Sequence, residues 1–275
     1  MNRESEMVRD LYSHMVDREW GRLAKDPFHR LEYDTTWRFL EKYLPKSGLV
    51  LDAGGGPGRY TVELARRGYD VVLFDLTPAN LDRAGEEIAR AGVGKHVRQL
   101  VEGTITDLSQ FADNSYDAVL CLGGPLSHTY PASGRVEAVA ELVRVARKGA
   151  CVFVSVISKY GALLATPEGW PQAVADPKEN FVGLVETGDT HAFVKDGYCH
   201  FFTSTELEQV FSGQPVEVVQ KVGLEGFNTD EKTTNNFAAR YPEAWQNWLK
   251  LHEELCTDPF AVDASGHMLI IVRKI

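Results

Sequence analysis

The chain has 275 residues, with 29 Lys+Arg against 39 Asp+Glu and a formal net charge of −10. That length suits one large α/β domain with insertions, or a domain with a cap, and the negative field disfavours nucleic acid and acidic membranes as partners. Cys121, Cys151, Cys199 and Cys256 stand far apart with no C-x-x-C pair, which argues against a disulfide framework or a zinc site and reads as reduced, buried thiols. The polar start MNRESEMVRD and apolar runs no longer than a strand, such as Cys151 to Ile157, suggest neither a signal peptide nor a membrane span, so a soluble cytoplasmic protein is expected.

Met7, Leu11 and Met15 recur every fourth residue, and Tyr33, Trp37, Leu40 and Leu44 follow an i, i+4, i+7, i+11 course that Pro45 ends. A helical segment over residues 1–47 therefore precedes the main domain at 48–275. From residue 48, strand-length apolar runs alternate with helical patterns, the mark of βαβ units. Leu49 to Asp52 reads as a buried strand, Tyr60 to Arg67 as a helix closed by Gly68, and Tyr69 to Phe74 as the second strand. Thr77 and Pro78 open a helix with Leu81, Ala84 and Ile88 on one face and Gly92 after its end. Val97 to Val101, Tyr116 to Leu122 and Cys151 to Ile157 supply three more strands. A helix over Arg135 to Arg147 lies between the last two, with Val136, Val139, Ala140 and Val143 predicted to face inward. Thr203 to Glu206 spells a capping box ahead of Leu207, Val210 and Phe211. Val216 to Val222 and Met268 to Val272 bring the strands to seven.

The densest chemical signal is Asp52-Ala53-Gly54-Gly55-Gly56-Pro57-Gly58. Glycines at alternate positions between a strand and a helix let a ligand approach backbone N–H groups with no Cβ in the way. A dinucleotide fingerprint counted from Gly54 needs Gly or Ala at position 59, where Arg59 stands. A phosphate-binding loop needs Gly-Lys-Ser/Thr, and no lysine follows. Asp52 is also a poor neighbour for a pyrophosphate, whereas it suits a cationic group such as an ammonium.

This arrangement resembles the class I S-adenosylmethionine-dependent methyltransferases of the small-molecule type, whose first motif is an acidic residue followed by G-x-G-x-G. The resemblance implies that Asp52, Gly54, Gly55, Gly56 and Gly58 seat the amino-acid end of the cofactor. Asp75, in Leu73-Phe74-Asp75-Leu76, falls on the second motif and is expected to bind both ribose hydroxyls, with Leu76 beside it. An ionised carboxylate offers acceptors to two adjacent O–H donors. After the third strand Thr104 stands where the family often carries an aspartate, and two readings remain open. Either Thr104 and Ile105 meet the adenine by backbone and packing, or Asp107 supplies the carboxylate. Leu122 and Gly123, ending the fourth strand, are expected beside the methionine part. By the same resemblance the fold is Rossmann-like α/β: a seven-stranded, mostly parallel sheet of order 3-2-1-4-5-7-6 with the last strand antiparallel, helices on both faces and a helical N-terminal lid. S-adenosylmethionine is the implied cofactor and S-adenosylhomocysteine its product.

The implied reaction is direct displacement at the sulfonium methyl by a small-molecule acceptor, with alignment as the protein's chief contribution. His128, in the loop nearest the methyl end, is the leading candidate for a general base; the plainer alternative is a histidine that only hydrogen-bonds within its Gly-Pro-rich loop. His191 and His200 are secondary candidates, and no metal-ligand spacing stands out. Substrate choice falls to the N-terminal helices and the insertions at about 159–200 and 224–264. These insertions carry Tyr160, Trp170, Phe181, Phe193, Phe201, Phe227, Phe237, Tyr241, Trp245 and Trp248. Most such rings serve packing, and the remainder could enclose a small apolar or aromatic acceptor. No basic arm marks a nucleic-acid substrate. The competing readings are an NAD-dependent oxidoreductase and a non-catalytic S-adenosylmethionine-binding protein.

Overall fold

The computed structural model describes residues 3–169, 171, 182–190, 197–228 and 230–275. His191, Trp170, Phe181 and Phe193 lie outside the described residues. The near-continuous apolar runs become central strands because both faces of a parallel sheet are covered. They are β1 (Leu49–Ala53), β2 (Asp70–Asp75), β3 (Val97–Glu102), β4 (Tyr116–Cys121), β5 (Ala146–Ile157), β6 (Val216–Gly223) and β7 (His267–Lys274). Together they form one seven-stranded sheet of order β3-β2-β1-β4-β5-β7-β6. β1 to β5 run parallel to one another, and β7 is antiparallel to β5 and β6. This is the expected topology.

Alternation along each strand builds two cores. Leu51, Ala53, Val72, Phe74, Val119, Val152 and Val154 pack against Ala138, Val139 and Leu142 of α6 (Ala132–Val145). On the opposite face Val50, Val71, Leu120, Phe153 and Ile271 meet Trp37 and Leu40 of α3 (Pro27–Tyr43) and Tyr60 and Leu64 of α4 (Arg59–Arg66). Each fully buried Leu, Val or Phe contributes roughly 1.5–3 kcal/mol relative to exposure. α5 (Pro78–Ala91) joins α4 through Val62, Ala65, Ala84 and Ile88.

Several sequence expectations shift. Val136 is 46% exposed, because the buried stripe of α6 runs through Arg135, Ala138, Val139, Leu142 and Val143, the i, i+3, i+4, i+7, i+8 face. That helix stops at Val145 and β5 begins at Ala146, where the Lys274 ammonium donates to the carbonyls of Arg144 and Ala146, 2.9 Å each. Met7 and Leu11 lie on α1 (Arg3–Ser13), whereas Met15 caps a separate α2 (Val16–Arg22). The insertion after β6 contains α10 (Glu231–Arg240) and α11 (Pro242–Leu255), reached after α7 (Lys159–Gly169), α8 (Val182–Glu186) and α9 (Ser204–Gln209) in the chain. Ala238, Trp245, Phe237 and Trp248 pack on Leu31 of α3, so these rings serve packing.

Candidate active site

The carboxyl ends of β1, β2, β3 and β4 open into one cavity of about 470 Å³, within the size range of small-molecule sites. Its floor contains Gly54, Gly55, Gly56, Asp75, Leu76, Thr104, Ile105, Asp107, Leu122, Gly123 and His128. Residues from five separate stretches of chain therefore converge as the sequence motifs implied.

The glycine loop is tied to β2 by the Gly54 and Gly55 amides, which donate to the Phe74 carbonyl at 2.7 and 3.2 Å. Gly56 adopts φ +56°, and a Cβ there would meet only Asn80 Nδ2, at 3.9 Å; its bare face is turned to open space. Gly58 is different. With φ +84°, its missing Cβ would come within 3.1 Å of the Ala84 Cβ, so this glycine serves the close approach of α4 and α5 and does not line the cavity. Asp52 is also outside the lining. The pleat that buries Leu51 and Ala53 on one face turns Asp52 to the other, where it accepts from Thr61 Oγ1 at 2.6 Å beneath Gly55. Burial pushes its carboxyl up to about 6 against the Thr61 hydrogen bond. Asp52 thus supports the loop from below and is not among the residues that line the cavity, while its Oδ1 is a buried acceptor without a partner.

Asp75 is 6% exposed and held by three donors. Gly56 N reaches Oδ2 at 2.8 Å, while Thr77 N and Asn80 Nδ2 reach Oδ1 at 2.8 and 3.2 Å. Burial raises this carboxyl above the usual range, with the Thr77, Asn80 and Gly56 donors opposing it. Asn80 Nδ2 faces Asp75, which leaves Asn80 Oδ1 as a buried acceptor without a partner. Ile105 is buried packing, and Thr104 Oγ1 sits 2.9 Å from Thr106 Oγ1. Asp107 lines the cavity yet also accepts from Ser109 N at 3.0 Å, which lowers its pKa. Gly123 N donates to Ser155 Oγ at 2.8 Å, fixing the end of β4 against β5.

The roof comes from the first helices: Ser5, Val8, Tyr12, Glu19, Arg22 and Leu23. It is pinned by Asp17 to Arg83 at 2.8 Å, Arg9 to Glu102 at 3.2 Å, and the Arg59 guanidinium stacked 4.1 Å from the Trp20 ring centroid. The described residues of the two insertions contribute nothing to the lining. Arg22 is gripped by both oxygens of the buried Glu32, Nη2 to Oε1 at 2.9 Å, with Glu19 3.4 Å from Nε. Behind Glu32, His267 Nδ1 lies 3.7 Å from Oε2 and 2.7 Å from Glu225 Oε1. His128 bonds Tyr12 and the Tyr198 carbonyl. His200 is fully buried away from the cavity, with Nδ1 2.7 Å from Asp189 and Nε2 2.8 Å from Glu206, so both its nitrogens are engaged in structure.

Sequence reasoning assigned no chemical role to Asn80, Arg22 or Tyr12. An amide one helical turn past the acid of β2 was the available cue for Asn80. For Arg22 the local cue was Glu19, three residues earlier on α2, but its two-oxygen grip comes from Glu32 of α3, which no local pattern marks.

A seven-stranded sheet of this order, with an acid after β2 hydrogen-bonded to a glycine loop after β1, defines a class I S-adenosylmethionine-dependent methyltransferase fold. In agreement, residues 50–149 match the model of a methyltransferase domain, and S-adenosylmethionine is the cofactor that this fold implies. The tRNA 5-carboxymethoxyuridine methyltransferase of Escherichia coli K12 is 31% identical over 119 residues, covering 38% of this chain and 45% of that protein. The glycine/sarcosine N-methyltransferase of Halorhodospira halochloris is 26% identical over 179 residues, 64% of this chain and 56% of that protein. The chain therefore spans about half the length of these curated relatives. Among solved structures, a SAM-dependent methyltransferase from Methanosarcina mazei shares the fold, with TM-score 0.59, 18% identity and coverage of 86% of this chain and 97% of that one.

The residues present fit this cofactor. Gly56 is a cradle that a side chain would fill, and Asp75 and the unpartnered Asn80 Oδ1 are acceptors suited to a ribose diol.

Proposed function

We propose that the protein transfers a methyl group from S-adenosylmethionine to a small-molecule acceptor by direct displacement. The observation that carries this reading is the convergence of the Gly54–Gly56 loop, Asp75, Thr104–Asp107 and Leu122–Gly123 on a single cavity roofed by the chain's own first helices. When bound, S-adenosylmethionine supplies an activated sulfonium methyl. In this reading Gly54, Gly55 and Gly56 seat its amino-acid end and Asp75, with Asn80, holds the ribose. Leu76, Thr104 and Ile105 flank the adenine, with Asp107 at the rim, and Leu122 and Gly123 border the methionine part. Alignment of this kind is worth roughly 7–11 kcal/mol in well-oriented systems.

The charges around the cavity support a small acceptor over a nucleic acid. Glu19, Asp75, Asp107 and Glu137 outnumber Arg22 and Arg59 in the lining, and Arg22 is neutralised by Glu32. Added to the net charge of −10, this field opposes a polyphosphate backbone. Four buried free thiols suit the reducing cytoplasm, and no helix among the described residues is long and apolar enough to cross a membrane.

Calorimetry with S-adenosylmethionine and with NAD tests the cofactor: tight NAD binding without S-adenosylmethionine binding would replace this reading with an oxidoreductase. Tritium from methyl-labelled S-adenosylmethionine is expected in the low-molecular-weight fraction of a cell extract. Label in tRNA instead would overturn the small-molecule assignment, and binding without transfer to either would leave a non-catalytic binding protein.

A further inference from the structure

His128 Nδ1 lies 2.9 Å from the backbone carbonyl oxygen of Tyr198. A carbonyl oxygen only accepts, so Nδ1 carries the proton of the neutral ring and Nε2 is a bare lone pair. Tyr12 Oη, 3.0 Å from that Nε2, is therefore the donor. The two rings meet edge to face with centroids 5.5 Å apart, and both line the cavity beside Arg22 and Gly123. Burial lowers the His128 pKa from its ordinary 6.5 despite the Tyr198 carbonyl, which keeps the imidazole neutral near pH 7. Burial also raises the Tyr12 phenol. The ionisable groups facing the pair are Glu19 and Arg22 of α2, Asp75 of β2 and the thiol of Cys199.

Tyr198 is itself anchored through its side chain. Arg135 donates to the Tyr198 hydroxyl at 2.5 Å, that hydroxyl donates to Asp189, and His200 clamps Asp189 and Glu206. With the residue fixed in this way, its carbonyl holds the proton of His128 on Nδ1, the nitrogen that faces away from Tyr12.

We propose that Tyr12 and His128 form a proton relay for methyl transfer, and that the acceptor is a hydroxyl or amine that arrives carrying its proton. The inference rests on the methyltransferase reading above. As the acceptor oxygen or nitrogen bonds the methyl carbon, the sulfur–methyl bond breaks and its electron pair returns to sulfur. The acceptor's proton passes to Tyr12 Oη while the Tyr12 proton passes to His128 Nε2. One positive charge disappears from the sulfonium and one appears on the imidazolium, which keeps Nδ1–H on the Tyr198 carbonyl and later releases the Nε2 proton to solvent. Tyr12 belongs to α1, so the relay is complete only with the roof docked.

The test uses the full chain, tritium-labelled S-adenosylmethionine and the low-molecular-weight extract fraction, with S-adenosylhomocysteine affinity measured alongside. Tyr12→Phe and His128→Gln are each expected to bind S-adenosylhomocysteine like wild type and to lose roughly 10²–10⁴-fold in turnover. The wild-type rate should fall on the acid side as His128 protonates, and the residual rate of His128→Gln should lack that limb. Glutamine keeps an acceptor for the Tyr12 hydroxyl without basicity. A mere latch therefore predicts full turnover in His128→Gln, and that result, or full turnover in Tyr12→Phe, overturns the relay. Nitrogen-15 NMR of the histidines gives a readout independent of any acceptor: a proton on His128 Nε2 in the neutral ring also overturns it. A wild-type chain that binds S-adenosylmethionine yet labels nothing removes the methyltransferase reading itself, an outcome distinct from any variant result.

Discussion

The amide of Gly56 donates to the carboxylate of Asp75 across 2.8 Å, so the acid that ends β2 and the loop that follows β1 are one hydrogen-bonded unit. The acid does two things at once. It pins the loop, and through Thr77 N it also orients the first turn of α5.

Replacing Asp75 with Ala should weaken S-adenosylhomocysteine binding by ~1.5–3 kcal/mol, the usual worth of hydrogen bonds to a charged group. Isothermal calorimetry reads this directly, and an unchanged dissociation constant would remove Asp75 from the ribose.

Asn80→Ala should weaken the same affinity by about 1 kcal/mol, as for a neutral hydrogen bond. Asn80 Nδ2 lies 3.2 Å from Asp75 Oδ1, so the two substitutions share a network and should not add in a double-mutant cycle. Strict additivity would mean that the two side chains act separately on the ligand.

Gly56→Val should fold, because a Cβ at this position meets nothing closer than 3.9 Å. It should lose roughly 1–2 kcal/mol of stability to the left-handed backbone conformation, seen in a denaturant titration. The new side chain enters the cavity, so calorimetry should show no heat with S-adenosylhomocysteine. Full binding by the valine variant would place the cofactor elsewhere.

The ion network behind the roof should give stability a pH signature. Burial opposes charge on His267, but Glu32 and Glu225 overcome it and raise its pKa from 6.5 to about 9. A pKa raised on folding stabilises fully below pH 6.5, progressively less above it, and not at all beyond about 9. Urea midpoints of the wild type should fall across that window. His267→Gln should flatten the fall and cost about 3–5 kcal/mol near pH 6.5, as expected when a buried charge loses its partner. An equal slope in the variant would assign the pH dependence to other groups.

Much was determined by the sequence alone. Strand-length apolar runs between helical stripes specify an α/β sheet, because period and burial are local properties of a strand or helix. Asp52 to Gly58, Asp75 and Leu122-Gly123 were legible as motifs because each sits at a fixed offset from a strand end, and the open sheet gathers such ends at one edge. What the tertiary structure decided depends on contacts between distant segments. The pleat of β1 turned Asp52 away from the cavity and toward Thr61. Gly58 proved to be needed for helix packing, and the aromatics of α10 and α11 went into a core against α3. Arg22 is gripped by Glu32 of α3, and Tyr12 meets His128 across 116 positions of chain. No local pattern encodes such pairings, since they form only when the roof helices, the loop after β4 and the segment at Tyr198 are packed on the same sheet.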